Sequence, residues 1–379
     1  MTDGSGPAAR TATGGRAQRR RAEAAAQTRA PGPDRSGPTG TPRRPRLRLT
    51  RPRRPRFDLL TAAALLVVAW AATSLAPMVS LWGVSTVVVS AASLIAVIPV
   101  AAVPVATIAV RRHRWVPLTA TVLAAAAPWA FVLGYAAPDD QSTRSATGPA
   151  IRLMLICGDH GNVDPQAVVT AVRNQHVDVL VITELTSTLA HTLTTSGLDR
   201  LLEARSVQLP TAGADDAADA GIGVWSSFDV GPVAPVPGTH WPATTVQLRP
   251  TAGAPVTLVA AHVAPPLTAG ARAWADDLAT LRHTAATTDG DVVMLGSLNA
   301  MPWHRQFRLF DAVGLSDAAE VLGRGLRPTW PTWLPVPVLS VDHALVSRRI
   351  GVDSVDTVVV TGSDHRGLLV SLRAAPAPA

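Results

Sequence analysis

Hydrophobic and polar positions divide the 379-residue chain into three regimes. Residues 1–56 carry almost no periodic apolar positions, and residues 57–137 are apolar nearly throughout. From residue 151 onward, short apolar runs alternate with polar turns. Those runs predict strands at 151–157, 178–183, 222–226, 243–248, 256–261, 291–295, 338–347 and 354–361. Asp164-Pro165 pairs a capping carboxylate with proline at the first helical position, which predicts a helix to about residue 175. A second helix is predicted near 271–286. Strands interleaved with helices describe a layered α/β domain over 151–379, joined through a polar linker at 138–150. No internal repeat is visible.

The middle regime holds three apolar segments, Phe57–Met78, Gly83–Val110 and Trp115–Ala137. Each exceeds the roughly 18–20 residues that cross a bilayer core, and their interiors hold no Arg, Asp or Glu. The reading is a three-helix transmembrane anchor over 57–137; a buried helical hairpin is the competing one. Pro99 and Pro104 predict kinks in the second segment. No cleavable leader is expected, because more than fifty polar residues precede the first apolar segment.

Charge sharpens this picture. The formal net charge of +7 splits into +12 over residues 1–56, from 15 Arg against 3 acidic residues, and −7 after residue 114, from 16 Arg against 23 acidic residues. The basic tail cannot bury enough apolar surface to offset its ordering entropy, so it is expected to be disordered, with an attraction to anionic lipid. A second basic cluster, Arg111-Arg112-His113-Arg114, separates the second and third segments. Positive-inside bias puts both clusters in the cytoplasm. The expectation is a multi-pass plasma-membrane protein with a cytoplasmic N-terminus and an extracytoplasmic C-terminal domain. The acidic C-terminal domain lacks the cation density of a nucleic-acid binder. With Cys157 as the one cysteine, a disulfide framework is excluded.

The candidate chemistry lies where strands end. Glu184 closes a buried run, where a carboxylate must be solvated, paired or metal-bound. His262 follows the run Val256–Ala261. Taken alone, each is more often an exposed Glu or a packed His. Asp342-His343 and Asp364-His365 are more telling, since a carboxylate that orients an imidazole makes an acid/base pair. Gly296-Ser297-Leu298-Asn299-Ala300 follows Asp291–Leu295 and presents Asn299 at the sheet edge; a turn alone would account for its Gly and Asn. Pro-Thr-Trp occurs at 328–330 and again at 331–333, giving an apolar loop ahead of Asp342 that suits a lipid tail or the core.

The strand ending at Cys157, Ile182-Thr183-Glu184-Leu185, Ala261-His262, Gly296–Ala300, Val341-Asp342-His343 and Ser363-Asp364-His365-Arg366, in that order, resemble the endonuclease/exonuclease/phosphatase superfamily over about residues 150–375. The three apolar segments, with His160-Gly161-Asn162-Val163-Asp164-Pro165, are similar to its actinobacterial VanJ-type branch. The resemblance implies a four-layered α/β sandwich of the DNase I-like kind and hydrolysis of phosphate esters with Mg²⁺ or Mn²⁺. It implies Glu184 as principal metal ligand and Asp364 beside the metal. It implies His262 on the phosphoryl oxygens, Asn299 positioning the water, and Asp342 orienting His365 as a donor to the phosphate. The partners it implies are the membrane and a phosphorylated lipid or cell-envelope substrate.

Two positions depart from the family pattern. Cys157 stands where Asn is expected, and Ser297 where the Asp of Gly-Asp-Phe-Asn-Ala is expected. A hydroxyl is no base at neutral pH, and a thiol is a poor substitute for an amide. Asp159, two residues beyond Cys157, shares its strand face if the strand continues and is the candidate to compensate; Gly158 and Gly161 favour a turn there equally. The alternative reading is a degenerate module of the same fold that binds a phosphorylated ligand or partner without hydrolysing it.

Overall fold

The computed structural model describes residues 59–75, 98–134, 148–209, 221–251 and 253–374. The expected tail at 1–56, residues 138–147 of the linker and much of the second apolar segment lie outside the described residues. In chain order the elements are α1 (Leu59–Leu75), α2 (Ile98–Arg111), α3 (Trp115–Gly134), β1 (Ala150–Cys157), α4 (Pro165–Asn174), β2 (Val179–Leu185), α5 (Ser187–Thr195), β3 (Ala204–Gln208), β4 (Gly221–Ser226), β5 (Asp229–Pro235), β6 (Ala243–Arg249), β7 (Val256–His262), α6 (Ala271–Thr287), β8 (Asp291–Ser297), α7 (Arg305–Arg308), β9 (Leu315–Asp317), α8 (Ala318–Val321), β10 (Asp342–Ser347), β11 (Gly351–Val358) and β12 (Gly367–Arg373).

The three N-terminal helices correct the membrane expectation. Among the described residues no helix is long and apolar enough to cross a membrane. The multi-pass plasma-membrane placement with three spans is therefore overturned. The helices instead bury Ala64, Ala71, Ala102 and Ala109 with Leu60 and Val67 against one another. Small side chains at these positions allow close helix approach.

The strands form two six-stranded sheets, ordered β11-β12-β1-β2-β4-β3 and β5-β6-β7-β8-β10-β9. Each has one parallel pair at its centre, β1 with β2 and β7 with β8, and antiparallel strands outside it. Strand parity shows how the sheets stack. Leu153, Leu155, Val179 and Val181 of the first sheet share one core with Leu258, Ala260, Val293, Leu295 and Val346 of the second. The alternate residues face outward: Met154, Ile156, Leu180 and Ile182 pack with Val168, Val172, Leu189 and Leu193 of α4 and α5. On the far side, Val259, Val292 and Met294 pack with Trp274, Leu278 and Leu281 of α6. The result is the expected four-layered sandwich, helix on sheet on sheet on helix.

Several boundaries differ from the pattern. The strand expected at 338–347 begins only at Asp342, because Leu339 bridges Trp330 in a loop instead. The one expected at 354–361 runs Gly351–Val358. β3, β5, β9 and β12 are not among the expected strands. β12 matters most, since it sits between β11 and β1 and joins the edge strand to the rest of its sheet.

Candidate active site

Parity carries one set of side chains to a single rim of the sandwich. Cys157, His262, Ser297 and Asp342 continue the inward-facing series of β1, β7, β8 and β10, one step past the apolar core. The register places His262 beside Ser297 and Ser297 beside Asp342, a row across three strands. Gly296 makes this row possible: a Cβ there would lie 2.1 Å from the Ala261 carbonyl oxygen.

Glu184 arrives by another route. Ile182 and Leu185 both face the outer core, three residues apart, so the strand holds an extra residue between them. The pairing of β2 with β4 shifts at this point, and Glu184 stands at φ 51°, in the left-handed region. The bulge turns the carboxylate toward the rim, where Oε1 is 3.5 Å from His262 Nε2 and Oε2 3.5 Å from His160 Nε2. Asn299 is likewise at φ 48°, and its amide donates to the Val263 carbonyl at 2.8 Å.

The loop before β12 completes the rim. Ser363 Oγ donates to the Cys157 carbonyl at 2.8 Å, tying the loop to β1. His365 Nδ1 donates to Asp342 Oδ2 at 2.7 Å. Asp364 accepts from Trp330 Nε1 at 3.1 Å, and its Oδ1 is 3.8 Å from His365 Nε2. Trp330 is thus a positioning residue, whereas Trp333 is 74% exposed. Asp159 sits in a left-handed turn at φ 46° and receives the Asn162 amide at 3.4 Å. β1 has ended, so Asp159 does not share the strand face of Cys157, and only its backbone N–H touches Sγ, at 3.4 Å.

Burial and neighbouring charge set the protonation states. For His365, burial opposes the charged form, but the Asp342 charge and hydrogen bond outweigh it and push the ring up to about 9. Asp342 would be raised by burial, yet the His365 charge and hydrogen bond hold it below the ordinary carboxylate range. These two form a buried ion pair. Burial, reinforced by the nearby His365 charge, pushes His262 down to about 3, so it is neutral and its contact with Glu184 is not an ion pair. Burial raises Glu184, against the pull of His160 and His365. The Cys157 thiol is held well above its ordinary value by burial and then by Glu184 and Asp364.

The adjacent Asp-His dipeptides do not pair within themselves in the way their spacing suggests. Asp342 turns inward to His365, while His343 turns outward, with Nδ1 2.5 Å from Asp317 Oδ2 and Nε2 2.8 and 3.0 Å from the Ala300 and Ser340 carbonyls. Asp317 lies 26 residues from His343 in sequence, with no motif to announce it.

Several buried polar atoms at the rim have no hydrogen-bond partner: Thr183 Oγ1, His262 Nδ1, Ser297 Oγ and Asp364 Oδ1. Ser297 and Thr329 nevertheless lie close enough to Asp342 to favour its charged form. One ligand atom each from Cys157, Asp364 and His365 lie within 4.8 Å of one another. This set of one sulfur, one nitrogen and one carboxylate suits a divalent transition metal; it does not fit Mg²⁺, which demands near-octahedral oxygen ligands.

Residues 156–365 match the model of the "Endonuclease/Exonuclease/phosphatase family". Among solved structures, humanized D. rerio TDP2 is 16% identical with a TM-score of 0.48, over 59% of this chain and 98% of that one. An endonuclease/exonuclease/phosphatase from Beutenbergia cavernae DSM 12333 is 20% identical with a TM-score of 0.47, over 60% and 72%. The human Nocturnin catalytic domain with bound sulfate is 16% identical with a TM-score of 0.44, over 59% and 93%. No curated protein matches the sequence.

Proposed function

The chain belongs to the endonuclease/exonuclease/phosphatase family, and from that premise we propose that it hydrolyses a phosphate ester or pyrophosphate bond. The Asp342–His365 pair carries this reading. Its buried imidazolium presents Nε2 to the rim with no hydrogen-bond acceptor of its own, as a phosphoryl oxygen requires. Neutral His262 approaches from the facing sheet, and Glu184 lies between His160 and His262. In this arrangement His365 donates to the phosphate as negative charge builds, and Asp342 keeps the ring oriented and charged. Removing one such donor typically costs about 10²–10³ in rate. Members of the family generally use Mg²⁺ or Mn²⁺, and a bound divalent ion polarises a phosphoryl oxygen.

The finer proposal is a lipid-linked or cell-envelope phosphate as substrate, within the VanJ-type branch. Its support is the stretch His160–Pro165 and the apolar loop beside Asp364, where Trp333 and Val336 are 74% and 70% exposed. Nucleic acid is disfavoured by the net −7 after residue 114.

Ser297 favours a second reading, a phosphate-binding module without turnover, because its hydroxyl stands where a carboxylate would take a proton from water. Phosphate release by the full chain separates the two. The panel is a phosphomonoester, a phosphodiester and a lipid pyrophosphate, each with Mg²⁺, Mn²⁺ or Zn²⁺. Turnover that disappears in Glu184→Ala supports the hydrolase. Silence in the parent with turnover only in Ser297→Asp establishes the binding module instead.

A further inference from the structure

We propose that Asp277 on α6 is a positioning residue for His262, acting through the loop that carries His240 and Trp241. The inference deepens the hydrolase reading and rests on it for the step that His262 serves. The loop geometry stands without that reading.

His262 lacks the support that its rim partner has. Its Nδ1 is buried without a partner, and its Nε2 stands 3.5 Å from Glu184 Oε1, long for a hydrogen bond. His365, by contrast, is fixed through Nδ1 by Asp342 at 2.7 Å. What meets the His262 ring is Trp241, edge to face, with centroids 4.2 Å apart and planes at 62°. The orientation of His262 therefore depends on where Trp241 is held.

Trp241 lies in the connection from β5 to β6, at the rim, since Ala243 pairs with Ala261 beside His262. One buried side chain governs the course of that connection. Asp277 is fully buried on the face of α6 that packs Trp274, Leu278 and Leu281 against the second sheet. A carboxylate there is strongly unfavourable unless its oxygens are satisfied. Oδ1 accepts the backbone N–H of His240 at 2.9 Å and its ring Nδ1–H at 2.7 Å. Oδ2 accepts the backbone N–H of Ala264 at 3.3 Å. Gly238, at φ 85°, lets the loop turn onto α6 beside Thr280.

The placement of these bonds is what assigns the role. A loop held for stability alone could be tied anywhere along its length. Here one tie falls on the residue before Trp241 and the other two residues past His262, on the segment that leaves β7. A single carboxylate thus fixes the two rings against each other. Small displacements of a positioned catalytic group cost up to about 10²-fold in rate.

The full chain with labelled histidines tests this by NMR, with the His262 ring signal assigned by its loss in His262→Gln. Asn at position 277 keeps the shape but offers one acceptor oxygen, so it holds one segment and releases the other. In Asp277→Asn the His262 ring signals should move toward those of Trp241→Leu, while Trp241→Phe stays near the parent. On bis(p-nitrophenyl) phosphate with Mn²⁺, Asp277→Asn and Trp241→Leu should lose about 10–10²-fold in kcat, with KM nearly unchanged. Arg349→Ala, which breaks the pair with Asp291 at the opposite end of β8, should lower stability and move neither readout. His262 signals that stay at the parent positions in folded Asp277→Asn would overturn the proposal. So would displaced signals with the parent kcat, or an equal kcat loss in Arg349→Ala. A parent without turnover removes the hydrolase reading alone, and the ring signals then decide whether Asp277 positions His262.

Discussion

Asp342 and His343 are neighbours on β10 that serve opposite faces of the second sheet. Asp342 turns into the space between the sheets and holds His365 at 2.7 Å, whereas His343 turns toward the outer layer and meets Asp317 at 2.5 Å. Both imidazoles are buried, and each has a carboxylate drawn from elsewhere in the chain. One pair leaves a ring nitrogen open to the rim. The other leaves none, since Nε2 of His343 is occupied by two carbonyls. The first is built to act and the second to hold.

Asp342→Asn tests the acting pair. The amide fills the same space at a position only 4% exposed, so the fold should survive by circular dichroism. His365 loses the charge that keeps its ring protonated and oriented. Turnover should fall by about 10²–10⁴, mainly in kcat, because the substrate pocket is otherwise untouched.

His343 gives a pH prediction. Every partner of its ring is an acceptor, a carboxylate and two carbonyls, so both nitrogens must carry protons. Burial alone would lower this ring, but the Asp317 charge and hydrogen bond prevail and raise it above the ordinary value. The folded state then binds more protons than the unfolded state between the two values, so its contribution is full below about pH 6.5. It is lost as pH rises through the raised value. Urea unfolding of the parent and His343→Gln should show the largest stability gap at mildly acidic pH and a shrinking gap on the alkaline side. Phe307, whose ring is 4.4 Å away, carries no charge to reverse that sign.

Asn299 combines backbone and side-chain roles that two substitutions can separate. Its φ of 48° costs most L-residues about 1–2 kcal/mol, and its amide bond to Val263 contributes about 1 kcal/mol. Asn299→Ala should lose both contributions, and Asn299→Gly only the second. Chemical denaturation of the two variants should therefore rank parent, Gly, Ala in falling stability.

Much of this arrangement can be read from the chain, and the reason is periodicity. Glu184, His262 and Ser297 each follow an apolar run and Asp342 precedes one, and such runs become buried strands whose ends gather at one rim. β5 hides because Gly231, Pro232 and Pro235 sit in an exposed edge strand whose pattern resembles a loop. β9 is three residues long and has no period to detect. The pairing of His343 with Asp317 depends on which face of β10 each residue takes and on a distant strand, so adjacency misleads. The bulge that turns Glu184 inward has no residue signature; the left-handed turn is taken by a glutamate where glycine would have marked it.

Ser297 offers the last test, because the register seats it between His262 and Asp342. Adjacent strands lie about 4.8 Å apart, so a carboxylate introduced by Ser297→Asp would face both neighbours across the ladder. Toward Asp342 the effect is repulsive, since that group is charged and paired with His365. Toward His262 it is attractive, and it opposes the burial that pushes this ring down to about 3. The variant should therefore lose about 1–3 kcal/mol of stability at neutral pH, with a smaller loss under acid, where the added carboxylate is neutralised. The His262 ring should titrate at a higher pH in its NMR spectrum than in the parent. An unchanged His262 titration would mean that the new side chain has turned out of the row, and that the rim of the sandwich has room for it elsewhere.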